Sequence, residues 1–149
     1  METSIATNNN SNSGKKKILI VEDHEALRNS LQDFIFTLYP KFLIHSASTG
    51  EEGVSIANCI RPDIVLMDVK LPGIDGFEAT RLIKQNNNGT KIIIVTILEG
   101  VKYENDSYDA GASAFINKKD LEKNLSVTLA QILKSRQETQ ERKLVQNSG

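Results

Sequence analysis

Acidic, hydroxyl and ammonium side chains follow short apolar runs at four places in this chain. Glu22 and Asp23 follow the first run, Asp68 follows the third, and Thr96 and Lys118 close the fourth and fifth. Oxygen ligands without histidine or cysteine suit Mg²⁺, whereas an ammonium and a hydroxyl suit phosphate oxygens. If the fold brings these residues together, the sequence predicts a magnesium-assisted phosphoryl-transfer site with Asp68 as the acceptor.

The apolar runs themselves predict the elements that position these residues. Each run is too short for a helix and is bounded by charges or turn residues, which is typical of a buried strand. Between the runs, apolar residues recur at helical spacing. The predicted strands are residues 18–21, 42–47, 64–67, 91–96 and 114–116.

Five strands that alternate with five helices predict an α/β fold, with a parallel sheet between two layers of helices. Right-handed crossovers leave few topologies, and the favoured strand order is 2-1-3-4-5, the flavodoxin-like order. In that order the first, third, fourth and fifth strands are contiguous, and their carboxyl ends share one rim. The second strand, which brings no charge, lies at an edge.

Three carboxylates at one rim repel each other, and a divalent cation relieves that repulsion. Two unit charges about 4 Å apart cost about 4 kcal/mol at an effective dielectric constant of about 20. The cofactor predicted for Glu22, Asp23 and Asp68 is therefore Mg²⁺.

Composition sets further bounds. The chain has 149 residues and a formal net charge of −1, which gives no electrostatic footprint for nucleic acid or an anionic membrane. Cys59 is the single cysteine, so no internal disulfide can form, which suits a reducing cytoplasm. The domains predicted are a disordered tail at 1–14, one domain at 15–134, and a helix extension or linker at 135–149.

Residues 17–133 resemble a response-regulator receiver domain of the CheY-like kind. The resemblance rests on four motifs at matching spacing: Ile-Leu-Ile-Val-Glu-Asp at 18–23, Asp-Val-Lys-Leu-Pro-Gly-Ile-Asp-Gly at 68–76, Thr96, and Gly-Ala-Ser-Ala-Phe-Ile-Asn-Lys at 111–118. Residues 22–28 resemble most the subfamily of NarL/FixJ type, whose members usually carry a C-terminal helix-turn-helix.

The resemblance implies a role for each matching residue. Asp68 matches the phosphorylated aspartate, and Glu22 and Asp23 match the acidic pair that holds Mg²⁺. The following positions also carry over: the backbone carbonyl of Lys70 as a further metal ligand, Thr96 and Phe115 as the switch pair, and Lys118 as the phosphate-binding lysine.

The resemblance also implies partners. A sensor histidine kinase or a phosphotransfer protein donates the phosphoryl group, and the receiver catalyses only its own phosphorylation and dephosphorylation. Phosphorylation changes the surface of the fourth helix, fifth strand and fifth helix, through which a homodimer can form. No direct nucleic-acid contact and no membrane contact are expected from this chain.

Two positions depart from the family pattern. Ile97 stands where the family usually has a small residue, and we expect it to narrow access to Asp68. Lys70 occupies a position at which the residue type affects the lifetime of the phosphoryl group in this family.

The alternative function is a receiver-like interaction module that is never phosphorylated. A haloacid-dehalogenase type of hydrolase is disfavoured, because it needs an aspartate where Lys70 stands.

Local alternatives also stay open. Asp23 is a candidate N-cap of the first helix, and either Ser48 or Thr49 can cap the second. The fourth helix is marginal because it has few apolar residues, so we expect it to be mobile or covered by a partner.

Overall fold

The computed structural model describes residues 14–148, so residues 1–13 of the predicted disordered tail lie outside the described part. The strands are β1 (Lys17–Val21), β2 (Leu43–Ala47), β3 (Ile64–Met67), β4 (Lys91–Thr96) and β5 (Ala114–Asn117). The helices are α1 (Glu25–Leu38), α2 (Gly50–Ile60), α3 (Gly76–Asn86), α4 (Val101–Ala110) and α5 (Leu121–Ser148), with a 3₁₀ turn at Lys118–Asp120 before α5.

The five strands form one parallel sheet in the order β2-β1-β3-β4-β5, which confirms the predicted topology. All four residues of β3 are buried, whereas four of the five residues of the edge strand β2 are only half-buried. Val21 of β1 pairs with Met67 of β3, so the residues that follow these two strands are neighbours at the carboxyl edge.

Apolar residues cover both faces of the sheet, because successive strand side chains point to opposite sides. One core packs under α1 and α5 and includes Ile20, Leu66 and Leu125. The other packs under α2 and α3 and includes Val21 and Met67. The continuous apolar runs of the sequence are therefore explained by a sheet that is covered on both sides.

Helix starts are fixed by side-chain caps at two of the sheet's crossovers. The Thr49 hydroxyl accepts the amide N–H of Glu52 at 3.1 Å, and the Asp75 carboxylate accepts the amide N–H of Glu78 at 2.9 Å. The cap of α1 is His24, and its side chain makes no cap hydrogen bond. The expectation that Asp23 caps α1 is therefore wrong, which leaves its carboxylate available at the sheet edge.

Helix α5 continues well past the core. Leu125 and Leu129 are fully buried, and Leu133 is the last residue that packs against the core among those whose side chains the structure describes. Beyond it the helix runs on to Ser148, with Leu144 and Val145 exposed. The predicted segment 135–149 is thus a helical continuation over its described part.

Candidate functional site

Asp68 lies at the carboxyl end of the central strand, where its backbone is anchored. Its amide N–H donates to the carbonyl oxygen of Val21 at 3.0 Å, which extends the pairing of β1 with β3 by one residue. The residue is only 5% exposed. The carboxylate is therefore held on the most buried part of the sheet and not on a flexible loop.

Three carboxylates meet at this point, as the sequence predicted. Oxygen atoms of Glu22, Asp23 and Asp68 all lie within 4.8 Å of one another. Glu22 and Asp68 are buried and Asp23 is exposed, so the cluster opens to solvent on one side. Carboxylate oxygens at this spacing, with solvent access for water ligands, fit a magnesium ion.

The surroundings of one Asp68 oxygen are an independent argument for a cation at this cluster. Asp68 Oδ1 is buried and has no hydrogen-bond partner among residues 14–148. A buried polar atom without a partner costs free energy, and such atoms in folded proteins usually have a functional reason. A cation bound at Asp68 Oδ1 would supply such a reason.

Lys118 bridges the two buried carboxylates. Its Nζ lies 2.7 Å from Glu22 Oε1 and 2.9 Å from Asp68 Oδ2, and its side chain is 16% exposed. This ammonium is the cation that makes three clustered acids tolerable in the fold. Lys118, not the exposed neighbour Lys119, therefore enters the site, as the sequence predicted.

The pKa values of the bridge follow from burial and pairing. Burial raises the pKa of Glu22; the hydrogen bond from Lys118 only partly offsets it, and the negative charge of Asp68 adds to the rise. Burial works to lower the pKa of Lys118, but hydrogen bonds to Glu22 and Asp68 overcome it, so the pKa is raised. One ammonium shared by two carboxylates accounts for both directions.

The loop after Asp68 is held close to it by glycine and by α2. Gly76 has no room for a Cβ, which would collide with the carbonyl oxygen of Asp68, and its N–H donates to Val69 O at 2.9 Å. Glu51 Oε1 accepts the amide N–H of Ile74 at 2.8 Å. The loop that carries Lys70 is therefore fixed at both ends, and the Lys70 side chain itself is exposed.

Thr96 and Phe115 lie on the adjacent strands. Thr96 is fully buried, and its hydroxyl accepts the amide N–H of Leu98 at 3.3 Å. Phe115 is half-buried and packs against the core under α2 and α3. Ile97 is 60% exposed, so it stands on the rim and not inside the site.

Sequence reasoning missed two residues that hold the site from outside it. Arg28 Nη1 donates to the backbone carbonyl of Glu22 at 2.9 Å, and Glu51 holds the loop after Asp68 as described. Both contacts end on backbone atoms, whose directions follow from the tertiary fold. The single hint was the charged residue at each helix start.

The doubly wound sheet and its acidic edge define an α/β domain with its site at the carboxyl ends of the strands. Residues 18–130 match the response regulator receiver domain model, and the chain belongs to that family, the receiver domains of two-component systems. Response regulator GacA of Pseudomonas aeruginosa is 33% identical over 102 residues, which are 68% of this chain and 48% of GacA. Transcriptional regulatory protein LiaR of Bacillus subtilis is 39% identical over 80 residues, 54% of this chain and 38% of LiaR. The chain spans about half the length of the curated relatives it matches.

Solved structures agree with this assignment. A two-component response regulator of the LuxR family from Aurantimonas sp. shares 30% identity at a TM-score of 0.68, over 78% of this chain and 86% of that one. A CheY-like receiver domain protein from Methanospirillum hungatei shares 28% identity at a TM-score of 0.70, over 82% and 99%. These likenesses confirm the CheY-like fold and the resemblance to regulators of the NarL/LuxR type. Within residues 14–148, no helix is both long and apolar enough to cross a bilayer.

Proposed function

We propose that this receiver domain is a phosphorylation-dependent switch in which Asp68 accepts a phosphoryl group. The observation that carries the proposal is the pairing at Asp68: Oδ2 is held by Lys118, whereas Oδ1 is buried without a hydrogen-bond partner in the part of the chain that the structure describes. One oxygen is thus fixed and neutralised while the other is available to attack phosphorus. An acceptor for in-line phosphoryl transfer needs this arrangement, with one carboxylate oxygen held in place and the other oriented for attack.

The proposed donor is a phosphohistidine of a sensor histidine kinase or a phosphotransfer protein. Asp68 Oδ1 attacks phosphorus, a P–O bond forms, and the P–N bond to the imidazole breaks. The imidazole leaves with the electron pair and takes up a proton, so no further reactant is required. Lys118 then stands beside the new phosphoryl oxygens, and the hydroxyl of Thr96, the last residue of the neighbouring strand β4, turns towards them.

Magnesium is the proposed cofactor. Glu22, Asp23 and Asp68 would hold it, and the backbone carbonyl of Lys70 is the further ligand that the family resemblance implies. When bound, Mg²⁺ neutralises the negative charge that Asp68 and the incoming phosphoryl group bring together. The raised pKa of Glu22 is a reason for this chain to favour a cation there, because an ionised carboxylate in a buried site needs a positive partner.

The proposed output runs through the neighbouring strands. Thr96 leaves the N–H of Leu98 when it turns to the phosphate, and Phe115 moves further into the core. That change alters the face formed by α4, β5 and α5, where Val101 and Val127 are exposed. This face is the proposed surface for a homodimer or an effector. The proposed location is the cytoplasm, with the receiver domain at 15–134 and a helix extension or linker at 135–149. No direct nucleic-acid or membrane contact is proposed for the chain itself.

Intact mass measurement tests the proposal. The wild type, Asp68→Asn and Asp75→Asn are incubated with Mg²⁺ and a small phosphodonor such as acetyl phosphate. Asp75 is a matched control because it is an exposed carboxylate on the same loop, and asparagine caps a helix as well as aspartate does. We expect one phosphoryl adduct on the wild type and on Asp75→Asn, and none on Asp68→Asn.

Two other outcomes would contradict the proposal. An adduct on Asp68→Asn would move the acceptor to another residue. An adduct on none of the three, with Mg²⁺ binding intact, would favour the alternative, an interaction module that is never phosphorylated.

A further inference from the structure

The corner between β1 and α1 carries two of the three acids, and hydrogen bonds fix most of it. The amide N–H of Glu22 donates to Ala47 O at 3.0 Å, and the amide N–H of His24 donates to Glu22 Oε2 at 3.2 Å. The side chain of His24, the cap residue of α1, makes no cap hydrogen bond. The direction of the peptide that links Glu22 to Asp23 therefore depends on another contact.

Arg28 provides that contact. It lies in the first turn of α1, is half-buried, and its Nη1 donates to the carbonyl oxygen of Glu22 at 2.9 Å. Because the peptide unit is planar, holding this oxygen also fixes the direction in which the chain enters Asp23. Asp23 is exposed, so its carboxylate is placed by its backbone and not by surrounding side chains.

We infer that Arg28 is a positioning residue for the divalent cation site: it holds the Glu22–Asp23 peptide so that both carboxylates converge with Asp68. The inference rests on the proposed function in that it takes the acidic cluster to bind Mg²⁺. Arg28 touches neither the cation nor the phosphoryl group, and acts only through the backbone of Glu22. Groups that orient metal ligands in this way typically change metal affinity about 10- to 100-fold when they are removed.

Electrostatics alone predicts the opposite change in Mg²⁺ affinity, so the experiment can distinguish the two effects. Arg28 carries a positive charge close to the cluster, and a positive charge opposes the binding of a divalent cation. If charge were its main influence, neutralising Arg28 would tighten Mg²⁺ binding. If positioning is its main influence, neutralising Arg28 weakens Mg²⁺ binding.

The experiment measures Mg²⁺ binding to the unphosphorylated full chain by titration calorimetry for the wild type, Arg28→Met and Arg28→Lys. Arg81→Met is the matched control, because Arg81 is an exposed arginine that pairs with Glu78 on α3. We expect Arg28→Met to raise the Mg²⁺ dissociation constant about tenfold, Arg28→Lys to fall between it and the wild type, and Arg81→Met to leave it unchanged. Equal or tighter binding by Arg28→Met would overturn the inference.

A second readout separates positioning from a loss of folded protein. The rate of phosphorylation by acetyl phosphate is followed as a function of Mg²⁺ concentration. Positioning predicts that Arg28→Met shifts the half-saturating Mg²⁺ concentration about tenfold and leaves the rate at saturation near the wild-type rate. A lower saturating rate with an unshifted half-saturation would show a structural role only and would also overturn the inference.

The two proposals fail in distinguishable ways. If the wild type binds no Mg²⁺, the proposed function fails and takes this inference with it. If the wild type binds Mg²⁺ and Arg28→Met binds it equally well, only the role of Arg28 fails. If Arg28→Met does not fold, the Mg²⁺ affinity of Arg28→Lys is compared with that of the wild type. Equal Mg²⁺ affinities of these two proteins would overturn the inference.

Discussion

Replacing Lys118 by methionine should expose a competition between two cations for the same carboxylates. The Lys118 ammonium lies 2.7 Å from Glu22 and 2.9 Å from Asp68, and all three side chains are largely buried. Methionine keeps the length and apolar stem but removes the charge. The chain then holds two buried acids and Asp23 without any protein cation between them.

The magnitude follows from the same distances. Two ionised carboxylates 4.8 Å apart repel each other by about 3.5 kcal/mol at an effective dielectric constant of about 20. Removing one partner of a buried ion pair typically costs about 3–5 kcal/mol. We therefore expect Lys118→Met to lower the free energy of unfolding by about 3–5 kcal/mol in the absence of Mg²⁺.

Magnesium should reverse part of that loss. Without the ammonium, the carboxylates are free to bind the ion, so Lys118→Met should bind Mg²⁺ at least about tenfold more tightly, a gain of about 1.4 kcal/mol. A ligand that binds only the folded state stabilises it by RT ln(1 + [L]/Kd), where [L] is the free ligand concentration, so tighter binding gives a larger increase. The increase in stability on adding Mg²⁺ should therefore be larger for Lys118→Met than for the wild type.

The assay is urea unfolding with and without Mg²⁺, together with calorimetric titration. Lys119→Met is the matched control, because Lys119 is the adjacent lysine and its ion pair with Glu99 is exposed. It should resemble the wild type in both measurements. If Lys118→Met has wild-type stability without Mg²⁺, or gains no more from Mg²⁺ than the wild type does, the reasoning about shared carboxylates is refuted.

Three further outcomes are expected. Ile97→Ala should accelerate phosphorylation by a bulky phosphotransfer protein, because Ile97 stands on the rim with 60% of its surface exposed; equal rates in stopped-flow assays would remove its gating role. Gly76→Ala should cost about 1–3 kcal/mol in chemical unfolding, because its Cβ meets the carbonyl oxygen of Asp68, and a neutral result would contradict the close packing. Burial, and then the charge of Lys91, lowers the pKa of Lys84 below its ordinary 10.5. The unfolded chain therefore binds more protons between the two values, so this residue makes stability rise with pH there, and Lys84→Met should lack that rise in pH-dependent thermal unfolding.

The sheet topology could be predicted from the sequence because the patterns that indicate strands and helices are local. Buried runs of four to six residues, separated by helical spacing, leave one favoured sheet order, and that order places Glu22, Asp68 and Lys118 at a common edge. The choice of Lys118 over its neighbour Lys119 came from the family resemblance, through the spacing of Lys118 from Gly111 and Ala112 in the matching motif. The positions of these residues were predictable because each directly follows a strand or closes one.

The remaining features depend on directions that spacing does not encode. Arg28 and Glu51 act on backbone atoms of Glu22 and Ile74. A charged residue near a helix start hints at a contact but does not indicate which backbone atom it reaches. Asp23 was expected to cap α1 because of its residue type, but the helix begins two residues after it. For α2 the sequence left Ser48 and Thr49 as alternatives, and the structure uses Thr49, which stands three residues before a glutamate whose N–H it accepts.

The hydrogen bond from the Asp68 amide to Val21 ties the proposed phosphoacceptor to the buried centre of the sheet, which we expect to open last. Amide exchange there should proceed only through global unfolding, because β3 is fully buried between two paired strands. A phosphoryl group on such an immobile backbone cannot transmit its presence by shifting the strand that bears it. The signal must instead pass through side chains and loops at the periphery, so protection-factor changes on phosphorylation should map to residues 97–110 and leave residues 64–68 untouched.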